Sequence, residues 1–182
     1  GVLRGNGQFW VSVSSLPHML LLYRLEDRTV YRQRLPLSPT QAQSIAAALH
    51  KADRPEETLY NYRHFDDNCT TRIRDLLDSM TFGALRQGNL VPNQPPLRAR
   101  VADGFAAAPL LSALSQLVLG RRVDAPITGW DSMFLPDVLR AELHSHLHAV
   151  PEVVVTRVAP LPPSSSLPPI FWWSCTGLLL GL

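Results

Sequence analysis

The ten residues Tyr60-Asn-Tyr-Arg-His-Phe-Asp-Asp-Asn-Cys69 lead directly into Thr70-Thr-Arg-Ile-Arg-Asp-Leu-Leu-Asp78, a stretch with helical spacing of its apolar residues. The pair Asp67-Asn68 consists of residue types that commonly cap the amino end of a helix. The pattern therefore predicts a helix that begins beside Cys69 and ends near Ser79, with a single thiol in its first turn.

The predicted helix has an apolar side and a charged side. Its apolar residues recur at i, i+3 and i+4, and they are Ile73, Leu76 and Leu77. Its charged residues are Arg72, Arg74, Asp75 and Asp78. An amphipathic helix buries one face and keeps the other in water. We therefore expect the apolar side to pack against a sheet and the charged side to face solvent, with Arg72 and Arg74 in solvent or in ion pairs.

A cysteine in the first turn of a helix has two opposite interpretations. The partial positive charge of the helix end stabilises a thiolate, and the free amides of the first turn can hold an oxyanion during acyl transfer. A free cysteine is also commonly a small buried apolar residue. Cys69 is thus a candidate nucleophile, and a structural role stays open at this point.

The composition indicates a globular domain. The chain has 182 residues, of which 46% are hydrophobic and 18% are charged, so it can bury a core of its own. Its formal net charge is only +2, and the arginines are scattered rather than concentrated in one stripe with aromatic residues. Nucleic acid is therefore not an expected partner.

The remaining periodicity predicts an α+β fold with a small, mainly antiparallel sheet around the central Cys69 helix. The expected strands of this sheet are Phe9 to Val13, Arg28 to Leu35 and Val153 to Val158, with Leu59 to Phe65 as a strand or an extended loop. The other expected helices are Pro17 to Leu25, Ser38 to Asp53, Val101 to Leu119 with an interruption at Pro109, and Asp131 to His148. Residues 81–100 are rich in glycine, proline and polar residues, which is typical of a long loop.

The carboxyl-terminal segments have a different composition. Residues 159–169 are rich in proline and serine and are expected to be a linker. Residues 170–182 are apolar and too few to cross a bilayer, so we expect the start of a truncated transmembrane helix, with Trp172 and Trp173 at the interface. The alternative is an apolar segment packed on the domain. A disulfide between Cys69 and Cys175 is not expected across such a linker.

Six short motifs follow one another along the chain. They are Leu3-Arg4-Gly5, Phe9-Trp10, Leu35 to Gln41, Tyr60-Asn-Tyr62, Asp67 to Asp75, and Trp130-Asp-Ser-Met-Phe-Leu-Pro136. In this order they resemble the periplasmic domain of the Lnb-type family, which includes bacterial lipoprotein N-acyltransferases. The resemblance covers most of residues 1 to 158, and the Asn-Cys-Thr-Thr-Arg and Trp-x-x-Met-Phe-Leu-Pro motifs are specific in combination.

The resemblance implies a permuted papain-like (NlpC/P60-type) thiol fold, in which a histidine on an early strand precedes the cysteine. In the family this histidine belongs to a Gly-His segment ahead of the motif matched by Leu3-Arg4-Gly5, and the sequence has no counterpart of it. The domain is therefore expected either to lack its first strands or to belong to an inactive branch of the family. We favour the first alternative, with the general base upstream of Gly1. We also expect this fragment to be less active than the full-length protein.

The resemblance also implies a function. Cys69 is expected to form a thioester with an acyl group from a lipoprotein or phospholipid and to pass it to an amine, or to water. The expected supporting residues are Asn68, Asp67, Thr70, Arg72 and Tyr62. No cofactor or metal is expected. The implied location is the periplasm, with an anchor in the bacterial inner membrane. The competing hypothesis is a non-catalytic periplasmic binding module with a structural Cys69.

The histidines of the chain offer weaker alternatives. His64 stands five residues before Cys69, and an extended chain would hold it far from the thiol. His144 and His148 share a helix face as metal ligands can, yet no nearby pattern completes a site. A solvated or partly packed helix end around His146 is therefore expected. The Trp130 to Pro136 segment is expected to pack in a corner of the core.

Overall fold

The computed structural model describes residues 7–54, 56–105 and 108–160. Across these residues the chain is an α+β protein with several helices and small antiparallel sheets, as the sequence predicts. Within these residues two compact units are present, one formed by residues 7–91 with 128–159 and the other by residues 92–127.

The strands of the first unit form two separate two-stranded sheets. Strand β1 (Gly7–Trp10) pairs antiparallel with β3 (Leu59–Tyr62), and β2 (Val30–Gln33) pairs antiparallel with β6 (Pro151–Val155). The predicted single sheet is therefore wrong, although two of its three strands do pair. In β1 and β3, the rings of Phe9 and Tyr62 stack with their centroids 4.2 Å apart. Such cross-strand aromatic contacts stabilise this pairing.

The described residues of the first unit form five helices. They are α1 (Leu16–Leu25), α2 (Pro39–Ala52), α3 (Cys69–Met80), α6 (Gly129–Ser132) and α7 (Pro136–Leu147). Ser38 and Gln41 form a reciprocal capping box at the start of α2. The helix expected from Asp131 to His148 is instead two helices, because Pro136 starts a new helix as its first residue.

Helix α3 buries a different face from the predicted one. Its buried residues are Thr70, Thr71, Arg74, Leu77 and Asp78. Ile73, which was expected in the core, is 50% exposed. The helix neighbours that α3 contacts most are α2 and α7, whereas it was expected to pack centrally against a sheet. The buried face is therefore largely polar and needs partners from other parts of the chain.

Arg74 finds its partners at Trp130. Its Nη1 donates a hydrogen bond of 3.0 Å to the Trp130 carbonyl oxygen, and its guanidinium lies 3.9 Å above the Trp130 ring. Nε also donates to the Asp75 carboxylate at 2.8 Å. With these contacts Arg74 is only 7% exposed. Its expected position on the solvated side of the helix is therefore wrong, whereas its expected role in an ion pair agrees with the contact to Asp75.

Asp78 is buried by a similar route. Its Oδ1 accepts hydrogen bonds from the backbone amides of Leu85 at 3.1 Å and Arg86 at 3.0 Å. These bonds hold the turn after α3 against the helix and place Leu85 in the core. Asp78 was predicted to face solvent, and this prediction is wrong. Hydrogen bonds from two backbone amides take the place of the hydrogen bonds that its carboxylate would make to water.

The core of the first unit forms between α3, α6 and α7. Its buried members are Leu77, Leu85, Trp130, Met133, Leu139, Leu143 and Ala149. Phe134 is also buried. The expectation that the Trp130 to Pro136 segment packs in the core is thus confirmed for most of its residues.

The second unit contains two short helices. They are α4 (Leu97–Gly104) and α5 (Pro109–Val118), and strand β4 (Pro92–Gln94) pairs with β5 (Ile127–Thr128). The predicted loop therefore extends only to Val91, and the predicted break at Pro109 separates the two helices. Arg98 binds the carbonyl oxygen of Gln116 at 2.9 Å and forms an ion pair with Asp124. Within this ion pair, Arg98 Nε donates a hydrogen bond to Asp124 Oδ1, which holds the pKa of the Asp124 carboxyl below its usual value.

Several predictions for the end of the chain lie outside the described residues. These concern most of the 159–169 linker, the apolar segment 170–182, and any pairing of Cys175. Within the described residues, none of the helices has both the length and the apolar character needed to cross a membrane.

Candidate active site around Cys69

Cys69 is the first residue of α3, and the preceding residue caps the helix. The Asn68 Oδ1 atom accepts a hydrogen bond of 2.8 Å from the Thr71 backbone amide. In return, the backbone amide of Asn68 donates to the Thr71 hydroxyl oxygen at 2.8 Å. The Asn68 Nδ2 atom donates to the carbonyl oxygens of His64 at 2.8 Å and Phe134 at 3.0 Å. Asn68 is only 4% exposed. Its side-chain amide accepts one hydrogen bond and donates two, and an asparagine amide has both the acceptor and the two donors that this needs.

The thiol of Cys69 is free and accessible. Its Sγ lies 3.9 Å from the Thr70 hydroxyl oxygen, which is a buried neighbour in the same turn. In the described part of the chain, the amides of Cys69 and Thr70 have no hydrogen-bond acceptor. Unpaired first-turn amides and the helix dipole favour negative charge. The position suits a thiolate and, during acyl transfer, an oxyanion.

Two cavities open beside Cys69, and both are lined by Cys69 and Ile73. One cavity, of about 580 Å³, is called here the α2 cavity; its other main lining residues are Trp10, Val11, Ala48, Leu49, Ala52, Tyr60, Arg72 and Leu76. The other, of about 490 Å³, is called here the α7 cavity; its other main lining residues are Val30, Tyr31, Gln33, Pro136, Asp137, Leu139, Arg140 and Leu143. The apolar side of α3 therefore lines cavities instead of filling the core.

Arg72 and Asp67 form a charged pair at the edge of the α2 cavity. Arg72 donates from Nε to Asp67 Oδ1 at 2.7 Å and from Nη2 to Asp67 Oδ2 at 3.2 Å. The Arg72 guanidinium also lies 3.8 Å from the centre of the Tyr60 ring. These contacts hold the guanidinium in one place within a turn of Cys69.

Tyr60 is a site residue that the sequence analysis missed. It lines the α2 cavity with Cys69, whereas the predicted Tyr62 is absent from the described lining of both cavities. Tyr60 and Tyr62 are two residues apart on β3 and therefore share a face of the strand. This spacing could have identified Tyr60 as a site residue from the sequence. Burial raises the pKa of both phenols, and a charged Cys69 raises the pKa of each further.

Tyr62 instead belongs to an aromatic cluster beside the site. Its ring stacks on Phe9, and its hydroxyl lies 3.5 Å from Nδ1 of His64. His64 in turn contacts the rings of Phe65 and Phe134 at centroid distances of 5.0 and 5.9 Å. The cluster therefore supports the turn that precedes Cys69.

The chain between His64 and Cys69 is not extended, contrary to expectation. The amide of Arg63 donates to the carbonyl oxygen of Asp67 at 3.0 Å, and the amide of Asp67 donates to the carbonyl oxygen of Arg63 at 2.9 Å. A tight loop thus brings the His64 carbonyl to the Asn68 side chain. Even so, no histidine is found among the described residues that line the two cavities.

The histidines of α7 lie apart from the two cavities. His146 Nδ1 is 3.1 Å from the Glu142 carboxylate, and His148 ends the helix in a left-handed conformation. His144, His146 and His148 are exposed, as expected for a solvated helix end. Where the structure is described, no three His, Cys, Asp or Glu side chains are grouped to hold a metal ion.

The site is thus an accessible thiol in the first turn of a capped helix, between two cavities. The family model of the Lnb N-terminal periplasmic domain matches residues 1–100, more than half of the chain, and the chain belongs to this family. The matched span includes Cys69 and ends before Trp130 to Pro136. No curated protein and no solved structure matches the chain. Family membership places the chain in the periplasm, as part of the cell envelope.

Proposed function

We propose that the chain is the thiol-bearing domain of an envelope acyltransferase that acts on acyl esters of lipoproteins or phospholipids, within a permuted papain-like fold. The observation that carries the proposal is the position of Cys69. Its thiol is accessible in the first turn of α3, next to unpaired amides and at the junction of two cavities. Nucleophile, anion-stabilising groups and space for substrates thus occur together.

The proposed reaction has two steps. In the first, the Cys69 thiolate attacks the ester carbonyl carbon; a C–S bond forms, the C–O bond breaks, and the alcohol leaves with a proton. In the second, an amine nitrogen attacks the thioester; a C–N bond forms, the C–S bond breaks, and the amine gives its proton to the base. This base is assigned to the histidine that the family resemblance places ahead of Leu3-Arg4-Gly5.

The supporting residues have distinct proposed roles. Asn68 holds the first turn of α3 in place through its cap, and the Thr70 hydroxyl lies close enough to interact weakly with Sγ. Asp67 orients Arg72, which is suited to a phosphate or carboxylate of the donor. Tyr62 supports the turn before Cys69 through its stacking on Phe9.

The test uses the full-length protein with a phospholipid and, separately, a diacylated lipoprotein as donor. Mass spectrometry of the intact protein and of its peptides should show an acyl group on Cys69. Cys69→Ser should remove the adduct and the transfer activity, whereas Cys175→Ser, which changes the other cysteine in the sequence, should retain both. Unchanged turnover in Cys69→Ser would contradict the proposal.

A second candidate function is a non-catalytic module that binds a lipid, glycan or protein in the periplasm. It is favoured by one observation, the lack of a histidine among the described residues that line the two cavities. Alkylation of the folded protein with iodoacetamide separates the candidates. A nucleophilic Cys69 should be labelled rapidly at neutral pH, whereas this second function predicts labelling no faster than that of a model thiol peptide.

A further inference from the structure

We propose that the α2 cavity holds the acyl chain of the thioester, and that the α7 cavity admits the polar acceptor. This inference rests on the proposed function, because it assigns the two substrates of the same thiol. The starting point is the position of Cys69 and Ile73, which line both cavities. A thiol on a ridge between two cavities can exchange a group between occupants of the two sides.

The lining of the α2 cavity suits a hydrocarbon chain. Along its length the walls are formed by Trp10, Leu49 and Leu76, together with small alanines of α2. Trp10 is 69% and Leu49 is 53% exposed, so the cavity presents large apolar side chains to water. No carboxylate side chain is found among its described lining residues. A hydrocarbon chain would remove this apolar surface from water.

The space in the α2 cavity comes from two alanines. Ala48 and Ala52 lie one turn apart on the same face of α2, opposite Ile73 and Leu76 of α3. Helices α2 and α3 are direct neighbours, so larger side chains at these two positions would fill the gap. The resulting volume of about 580 Å³ is within the usual range of ligand-binding cavities.

Apart from Ser12, the polar side chains that line the α2 cavity lie near the thiol. Tyr60 and Arg72 line the cavity with Cys69, and the guanidinium lies over the phenol ring. The Nη1 group of Arg72 has no acceptor among the described residues, while Nε and Nη2 bind Asp67. A donor with a hydrocarbon tail and an anionic headgroup matches this distribution, with its ester at Cys69.

More of the residues that line the α7 cavity are polar or charged than of those that line the α2 cavity. Arg140 lies 3.9 Å from the centre of the Tyr31 ring, and its Nη1 is 3.0 Å from the exposed carboxylate of Asp137. Gln33 also lines this cavity. Hydrocarbon would leave these charged and amide groups without water. A polar acceptor with an amino group can form hydrogen bonds with these groups in place of water, and its amino group is attracted by the Asp137 carboxylate.

The experiment measures acylation of Cys69 in the full-length protein with esters of increasing chain length. Ala48→Trp fills the α2 cavity, and Ala47→Trp, which adds the same side chain on the exposed face of α2, is its matched control. We expect Ala48→Trp to lower acylation by long chains roughly tenfold, the effect of about two methylene contacts, and to retain acylation by short chains. Ala47→Trp should behave as the unchanged protein.

The outcomes separate this inference from the proposed function. If the unchanged protein forms no acyl adduct with any chain length, the proposed function fails. If adducts form and the two tryptophan variants have the same chain-length profile, the α2 assignment is wrong. Ala52→Leu is a milder filling of the same cavity and replaces Ala48→Trp if circular dichroism shows that the latter does not fold.

A variant of the α7 cavity tests whether this cavity, rather than the α2 cavity, holds the acyl chain. Arg140→Trp places a large side chain in the α7 cavity. It should retain the chain-length profile of Cys69 acylation and slow the transfer from the thioester to the amine. A shift of the profile toward short chains in Arg140→Trp, and none in the α2 variants, would place the acyl chain in the α7 cavity and overturn the inference.

Discussion

Asn68 and Phe134 are joined by a hydrogen bond of 3.0 Å from the Asn68 Nδ2 atom to the Phe134 carbonyl oxygen. The bond connects the residue before Cys69 with the loop that leads into α7. Both residues are buried, so this contact is shielded from water. The cap of α3 therefore fixes the position of Cys69 relative to the core as well as starting the helix.

Replacing Asn68 tests this double role. Asn68→Asp keeps the acceptor for the Thr71 amide but removes the donor, so a carboxylate oxygen faces the carbonyls of His64 and Phe134. We expect a loss of about 3 kcal/mol in the free energy of unfolding, measured by urea denaturation. The control Asn61→Asp, at an exposed position of β3, should change it by less than about 0.5 kcal/mol.

Arg74 gives a prediction about a buried cation. Arg74→Lys keeps the charge but loses the planar contact with the Trp130 ring and the fixed geometry of the bond to the Trp130 carbonyl. We expect the free energy of unfolding to fall by about 2 kcal/mol. Arg32→Lys, in the exposed ion pair with Glu152, is the comparison and should cost less than about 1 kcal/mol. Equal losses in the two variants would contradict the buried role of Arg74.

The tyrosines beside Cys69 give a prediction at alkaline pH. Burial and a charged Cys69 raise the pKa of Tyr62 above its unfolded value near 10. The folded state then binds its proton more tightly, so this contribution to stability is complete below about pH 10 and is lost as the pH rises through the raised pKa. Unfolding measured from neutral to alkaline pH should show a smaller loss in Tyr62→Phe. An identical pH dependence in the variant would contradict the raised pKa.

Cys69→Ser adds an independent test of the same electrostatic contact. Removing the thiolate removes one of the two causes that raise the pKa of Tyr62, with burial as the larger cause. Titration of tyrosine absorbance should therefore show ionisation at a lower pH in Cys69→Ser. An unchanged titration would indicate that the thiolate does not act on this phenol.

Asp27 gives a prediction at acidic pH. Its carboxylate accepts hydrogen bonds from the amides of Val158 at 2.6 Å and Ala159 at 2.9 Å, which hold the pKa of Asp27 below its usual value. Its contribution to stability is therefore present above about pH 4 and is lost as the pH falls through the lowered pKa. Urea unfolding should therefore show a smaller loss of stability at acidic pH in Asp27→Asn than in the unchanged protein. In this variant, hydrogen exchange of the two amides should also be faster at neutral pH. The exposed Asp66→Asn should leave both exchange rates unchanged.

The sequence by itself determined the local parts of the site. The start of α3 at Cys69 and the start of α2 after Ser38 were predictable, because a helix cap is formed by residues within about four positions of each other. The family was also predictable from short motifs, and the match over residues 1–100 confirms it. A periodic pattern of residues, however, specifies only that a helix has two faces.

Only the tertiary structure decided which face of α3 is buried. Arg74 enters the core because the Trp130 carbonyl, 56 positions away, accepts its hydrogen bond, and Asp78 enters because the turn after α3 supplies two backbone amides. Ile73 is consequently left beside Cys69, where it lines both cavities. The physical reason is that the free-energy cost of burying a charged group depends on the hydrogen-bonding partners that folding brings to it. Because these partners are far away along the chain, a local sequence pattern cannot predict them.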